Sequence, residues 1–110
     1  MKKEYNQLPQ VAFSILLALS LKERHGYEII QQIEEDSNGK IKLGPGALYT
    51  SIKQLREQKL IVEVNKKSDT KRRYYKLTNS GAKTLQDELE YYNNALKLAH
   101  KRGVMGSAYA

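Results

Sequence analysis

Gly44-Pro45-Gly46-Ala47-Leu48-Tyr49-Thr50-Ser51-Ile52-Lys53-Gln54-Leu55-Arg56-Glu57-Gln58-Lys59-Leu60 is the stretch whose reading decides the fold. Pro45 suits the first turn of a helix, where its missing N–H would have had no partner anyway. Leu48, Ile52 and Leu55 follow at i, i+4 and i+7, one apolar stripe at about 100° per residue. Gly46, Thr50, Lys53, Gln54 and Glu57 fall on the opposite side, with Tyr49 flanking it. The spacing predicts a short amphipathic helix whose outer face opens with small and hydroxyl side chains and carries one lysine. Small residues there allow a close approach, and the dipole at a leading end favours anions. Two readings are open: an ordinary solvated face, or a face shaped to enter the major groove of DNA.

Working back toward the N-terminus, Ile41 and Leu43 alternate with Lys40 and Lys42, a short extended lead-in. Asn38-Gly39 before it tolerates positive φ and suits a helix stop. The helix that it closes, about residues 26–37, carries Tyr27, Ile30 and Ile33 at i, i+3 steps, with Ile29 beside them. Lys22-Glu23-Arg24-His25-Gly26 reads as a polar turn with His25 solvated. Residues 8–22 are apolar nearly all round, from Val11, Ala12 and Phe13 through Ile15–Leu19 to Leu21. A helix of that kind can leave no face in water. In so short a chain, part of its cover is expected from a second subunit.

After Leu60 the period changes from 3.6 to 2. Val62 and Val64 alternate with Ile61, Glu63 and Asn65, and later Arg73, Tyr75 and Leu77 alternate with Arg72, Tyr74 and Lys76. The polar loop Lys66-Lys67-Ser68-Asp69-Thr70-Lys71 lies between them, so a two-stranded hairpin with a cationic tip is expected. Three helices followed by such a ribbon describe a mainly α (α+β) fold, the winged helix-turn-helix, whose second motif helix sits in the major groove. From Thr78 the helical period returns. Ala82, Leu85, Leu89, Tyr92, Leu96 and Ala99 step by 3, 4, 3, 4, 3, a heptad seam widened by Tyr91, Ala95 and Leu98. Such a breadth suits packing on the first helix and on a partner subunit together; the plainer alternative is a helix lying only along its own domain. The organisation read from the chain is a DNA-binding unit at residues 1–77, a dimerisation helix at 78–102 and a frayed tail at 103–110.

The placement of charge agrees with this order. The chain of 110 residues carries +7, and from Lys40 to Lys76 there are 11 Lys+Arg against 3 Asp+Glu, a net +8. The remainder holds 8 against 9, a net −1. A localised basic island is the electrostatic footprint expected for a phosphate backbone. An anionic membrane surface is the other candidate, although no strongly hydrophobic basic helix accompanies the island. With no cysteine, disulfide and thiolate sites are excluded. The apolar run 11–21 is shorter than the roughly 20 residues that span a bilayer. Lys2 and Lys3 do not make it a signal peptide, because residues 5–10 intervene and no small-residue cleavage site follows. A cytoplasmic protein is expected.

Together these segments resemble the PadR family of bacterial transcriptional regulators. The matching residues are His25-Gly26-Tyr27-Glu28-Ile29, Gly46-Ala47-Leu48-Tyr49, Leu60-Ile61, Arg72-Arg73-Tyr74-Tyr75-Lys76-Leu77-Thr78 and Gly81. The resemblance covers Leu8 to about His100, and a single helix after the ribbon matches the short subfamily. Thr50 stands where many members have proline, with a small expected effect on the start of its helix. What the resemblance implies is a homodimeric repressor on palindromic double-stranded DNA, often released by small molecules. No cofactor is expected.

Individual roles follow. Thr50 and Lys53 are assigned to base edges, with Gly46 and Ala47 allowing close approach. The Tyr27 and Tyr49 hydroxyls suit phosphate oxygens, which position without specifying; partial core packing is their alternative use. Lys66, Lys67, Lys71, Arg72 and Arg73 are wing contacts to phosphate or minor groove, although Arg73 alternates with the apolar side and can serve an internal salt bridge. Leu8, Val11, Ile15, Leu85, Leu89, Tyr92, Leu96 and Ala99 are assigned to dimerisation. The alternative function is a multidrug or small-aromatic-ligand sensor, with Tyr92, Tyr91 and Phe13 lining a pocket at the dimer interface; against it stands simple packing of Tyr92. An enzyme is not expected. His25 and His100 fit no metal-ligand pattern, Gly44-Pro45-Gly46 lacks the Lys and Ser/Thr of a phosphate loop, and no carboxylate pair stands in an apolar setting. A plain RNA-binding module is the remaining rival.

Overall fold

The computed structural model describes residues 7–104; the expectations for Lys2, Lys3 and the tail from Met105 onward lie outside it. Helix α1 (Gln10–Leu19) forms the centre, touching α2 (Gly26–Asp36), α3 (Pro45–Glu57) and α4 (Asn79–Lys101). Its Ile15, Leu16 and Ala18 are fully buried, and Ala12 and Leu19 nearly so. Ile29 and Ile33 of α2 and the predicted stripe Leu48, Ile52 and Leu55 of α3 complete the core. Each such aliphatic side chain contributes about 1.5–3 kcal/mol by leaving water. Val11, Phe13 and Leu17 stay half-covered, so the chain itself supplies most of the cover that α1 needs.

The sheet has three strands rather than the expected two. Strands β1 (Arg24–His25), β2 (Ile61–Val64) and β3 (Tyr74–Leu77) lie in the order β1-β3-β2, all antiparallel. Arg24 pairs with Tyr75, His25 with Tyr74, and Ile61 with Leu77. The segment expected to be a polar turn is therefore buried at Arg24 and His25. Arg24 is accommodated because its Nε donates to the carbonyl of Ala18 at 2.9 Å. The strict alternation expected on β3 also fails, since adjacent Tyr74 and Tyr75 are both buried. Tyr75 faces the core, while the His25 ring meets Tyr74 edge-on at 5.3 Å and the Lys66 ammonium stands 4.6 Å from its centroid. The lead-in at 40–43 is not a strand, although Ile41 and Leu43 do pack against the core.

Helices α2, α3 and α4 end in the same way, on a left-handed residue. Asn38 (φ 55°) with Gly39 (φ 80°) closes α2, Lys59 (φ 62°) closes α3 and Gly103 (φ 78°) closes α4. At α3 the Leu60 N–H returns to the Leu55 carbonyl and the Lys59 N–H to that of Arg56, both at 2.9 Å. This is the paired bonding of a Schellman stop. The stop aims the chain straight into β2 and also anchors α4. Thr78 caps α4 by accepting from the Gly81 N–H at 2.9 Å, while its hydroxyl donates to the Lys59 carbonyl at 2.7 Å. Its own N–H donates to the Leu60 carbonyl at 3.1 Å. A Cβ on Gly81 would collide with that same Leu60 carbonyl, so glycine is required there.

Two residues assigned to dimerisation belong to the protomer's own core. Ile15 and Leu85 are buried by contacts within one chain, α1 against α4, because each lies at the centre of that packing. Within the seam Leu85 packs inward, while Ala82, Leu89 and Leu96 are exposed and Tyr92 and Ala99 half-buried; Leu8 and Val11 are half-buried as well.

Candidate nucleic-acid interface

The leading end of α3 is open. Gly46, Ala47, Thr50 and Lys53 are all exposed, and no atom would meet a Cβ placed on Gly44 or Gly46. The first turn of α2 lies against this helix so closely that a Cβ on Gly26 would strike the Tyr49 hydroxyl. Glycine at 26 thus leaves room for the Tyr49 side chain between the two helices. Tyr27 is 65% exposed and Tyr49 49%, the Tyr49 hydroxyl lying against Gly26 at the edge of this face.

Between these tyrosines and the wing runs a cleft of about 400 Å³, lined by His25, Gly26, Tyr27, Tyr49, Lys71, Arg72 and Arg73. Five residues singled out in the sequence thereby come together from three places in the chain. Arg73 has no ion pair among the described residues, so its expected alternative use as an internal salt bridge is not what the structure shows. Thr50 and Lys53 lie outside this cleft, on the exposed face of α3. Thr50 is in the second turn, well clear of the helix start, and α3 runs through it unbroken.

The wing is held in shape by Asp69. Its Oδ1 accepts from the Lys71 and Arg72 N–H groups at 3.2 and 3.3 Å, and its Oδ2 from the Tyr74 hydroxyl at 3.1 Å. Partial desolvation alone would raise the Asp69 carboxyl. The bonds from Tyr74, Lys71 and Arg72, with the Arg72 charge, outweigh it and hold the group below its usual value. Tyr74 is pushed upward, first by desolvation and then by donating to this carboxylate. In the free chain the Lys66 Nζ pairs with Glu23 at 3.2 Å and covers the Tyr74 ring, so it straps the wing to the turn before β1. Lys67 and Lys71 remain exposed and without an ion pair among the described residues.

His25, expected to be solvated, is 7% exposed and sits at the N-cap of α2. Its Nδ1 lies 3.4 Å from the Glu28 amide nitrogen, the geometry of a side-chain cap when that nitrogen is unprotonated, while the Glu28 carboxylate accepts from the His25 N–H at 3.1 Å. The S/T-x-x-E pattern is the usual sign of such a reciprocal cap, and the His-x-x-Glu version conceals it.

A second cluster lies on α4. The Phe13 and Tyr91 rings meet Tyr92 edge-on, at 5.4 and 5.7 Å between centroids. The Tyr92 hydroxyl donates to Glu88 at 3.1 Å and accepts from Gln7 at 3.4 Å. Glu88, which the heptad reading passed over, is 1% exposed and also accepts from the Leu8 N–H at 3.3 Å. Among the described residues, no group of His, Asp and Glu is arranged to hold a metal, and no helix is long and apolar enough to cross a membrane.

A three-helix unit with a β wing and a cationic cleft at the joint defines a winged helix-turn-helix regulator. The chain belongs to the PadR-like family of transcriptional regulators, which it matches over residues 15–87; the family is one of regulators and not of enzymes. It is 36% identical over 76 residues to the transcriptional regulator YqjI of Escherichia coli K12, covering 69% of this chain and 36% of that protein. The chain thus spans about a third of the length of that relative. Among solved structures it resembles a PadR family transcription regulator from Clostridium difficile R20291, with a TM-score of 0.73 and 25% identity over 84% of this chain and 97% of that one. A transcriptional regulator from Clostridium thermocellum superposes with a TM-score of 0.70 and 25% identity, covering 83% of this chain and 87% of that one.

Proposed function

We propose that this regulator is a homodimer that recognises a palindromic operator in double-stranded DNA and represses transcription there. The observation that carries the reading is the cleft in which Tyr27 and Tyr49 face Lys71, Arg72 and Arg73 beside the open leading end of α3. In this arrangement α3 enters the major groove, with Thr50 and Lys53 at base edges and Gly46 and Ala47 letting the backbone close in. The tyrosine hydroxyls and the wing cations take phosphate oxygens on the flanking backbone, fixing register without reading sequence. Lys67 extends the same positive surface along the wing.

Two copies join through the second half of α4, residues 89–99 within the 78–102 dimerisation segment. Leu89, Leu96, Tyr91 and Leu98 are 41–50% exposed there, an apolar surface unusual for a helix with water on that side. Selection of bound duplexes from a random DNA pool tests the whole proposal. An inverted repeat with half-sites about one helical turn apart is the expected product. Recovery of a non-repeated site would remove the symmetric dimer. Equal competition by structured RNA of the same charge would remove duplex specificity and favour the RNA-binding rival.

The second reading, a sensor of small aromatic ligands, is supported by the Phe13–Tyr92–Tyr91 cluster beside buried Glu88. Planar cations that quench tyrosine fluorescence in the wild type and not in Tyr92→Ala would establish it. Saturable binding indifferent to Tyr92→Ala would place the ligand elsewhere.

A further inference from the structure

His25 occupies the joint between α2 and the wing, and its ring faces two N–H donors. Nδ1 lies 3.4 Å from the Glu28 amide nitrogen and Nε2 lies 3.0 Å from Nη1 of Arg72. The Glu28 carboxylate stands 3.4 Å from the same Nε2. A neutral imidazole has one N–H and one lone pair, so it can accept from one of these donors and not from both. With the proton on Nδ1, Nε2 accepts from the guanidinium and α2 loses its side-chain cap. With the proton on Nε2, Nδ1 caps α2, the Nε2–H has the Glu28 carboxylate 3.4 Å away, and Arg72 meets a donor and must leave.

We propose that His25 is the positioning residue for Arg72. Its Nδ1–H tautomer holds the guanidinium at the mouth of the cleft in the free protein. Its Nε2–H tautomer caps α2 once Arg72 has moved to a phosphate of duplex DNA. This second half rests on the DNA-binding reading given above; the first does not. The shorter of the two contacts is the charge-assisted one, which favours the holding tautomer before DNA arrives. Arg72 is free to swing because its side chain is 62% exposed and its other partner, Asp69, lies 3.6 Å away. Burial of the imidazole and the edge-on Tyr74 ring at 5.3 Å keep His25 in place while its proton changes nitrogen. The release of Arg72 is therefore offset by a new bond at the start of α2. The cleft and the helix behind it respond as one unit.

Two-bond ¹H–¹⁵N spectra of protein labelled at histidine nitrogen read the tautomer directly, with His100→Gln assigning the second histidine. At pH 8, free wild type is expected to show Nδ1 protonated and Nε2 accepting. Arg72→Ala, an exposed substitution, is expected to reverse the pattern. Identical patterns in the two proteins would overturn the proposal. Adding a selected duplex to the wild type is expected to convert its spectrum to that of Arg72→Ala; a bound complex with Nδ1 still protonated would overturn the hand-over. If no duplex binds, the DNA-binding reading falls with the hand-over, and the free-protein comparison still decides whether His25 holds Arg72.

Discussion

The hydroxyl of Tyr74 donates to Oδ2 of Asp69 at 3.1 Å, tying the base of the wing to its tip. Through Oδ1 the same carboxylate gathers the Lys71 and Arg72 amides, so two cations of the cleft take their backbone positions from one acidic side chain. Because Asp69 is held below its usual value, the folded state binds its proton less readily than the unfolded state does. The stabilisation is fully present above the ordinary carboxylate value of about 3.9 and disappears as pH falls through the lowered folded value. Asp69→Ala should therefore speed hydrogen exchange at the Lys71 and Arg72 amides at pH 7. The gap between variant and wild type should close in acid.

Gly81→Ala should destabilise the fold more than any exposed substitution on α4. The new methyl meets the Leu60 carbonyl, a backbone atom already engaged by the Thr78 N–H, so no flexible side chain can yield. Overpacking of this kind costs about 1–3 kcal/mol, and the upper end is expected here. Urea unfolding followed by circular dichroism measures it.

Lys59→Gly should act in the opposite direction. Lys59 holds φ 62° at the α3 stop, a conformation that costs a side-chain-bearing residue about 1–2 kcal/mol. Glycine removes that cost and returns part of it as unfolded-state entropy, leaving a net gain of about 0.5 kcal/mol. Denaturant midpoints of the two proteins are the comparison. DNA affinity should fall only by the small amount due to one lost exposed charge.

These two positions also mark how far the sequence could be read. The 3.6-residue stripe of Leu48, Ile52 and Leu55 and the switch to period 2 after Leu60 were legible because each reflects burial on one face. Strand β1 was not, because a polar pair such as Arg24-His25 carries no apolar signal. Its burial depends on partners distant in sequence, Tyr74 and Tyr75. Adjacent burial of those tyrosines has the same origin, a sheet covered on its second face by His25 and Lys66. The basic island located the candidate interface, but counting charge could not reveal which cations are already engaged. Lys66 is one of them, through Glu23, and Arg56 is another, through Glu63 at 3.7 Å.

That distinction separates the wing lysines by experiment. Lys71→Ala and Arg73→Ala should each weaken DNA binding evenly across sequences and lower the slope of log affinity against log salt by about one. Lys66→Ala should leave the slope within about half a unit of wild type, since its charge is already opposed by Glu23. Fluorescence anisotropy over a salt series distinguishes these outcomes. An equal slope change for all three would mean that Lys66 leaves Glu23 on binding.

Leu96→Glu tests assembly apart from folding. Leu96 is 49% exposed in the single chain and lies beyond the part of α4 that Leu85 anchors to the core. The substitution should therefore preserve the circular dichroism spectrum. In a dimer joined through this surface it would bury two new carboxylates, one from each copy, near the symmetry axis. Like charges brought together out of water carry a desolvation penalty of several kcal/mol per ion, enough to separate the subunits at micromolar concentration. Sedimentation velocity should then find the mass of one chain, where wild type gives two. DNA binding by the separated protomer should keep only about half the salt slope, because half the phosphate contacts remain. A variant that stays dimeric with its spectrum intact would move the interface off the second half of α4.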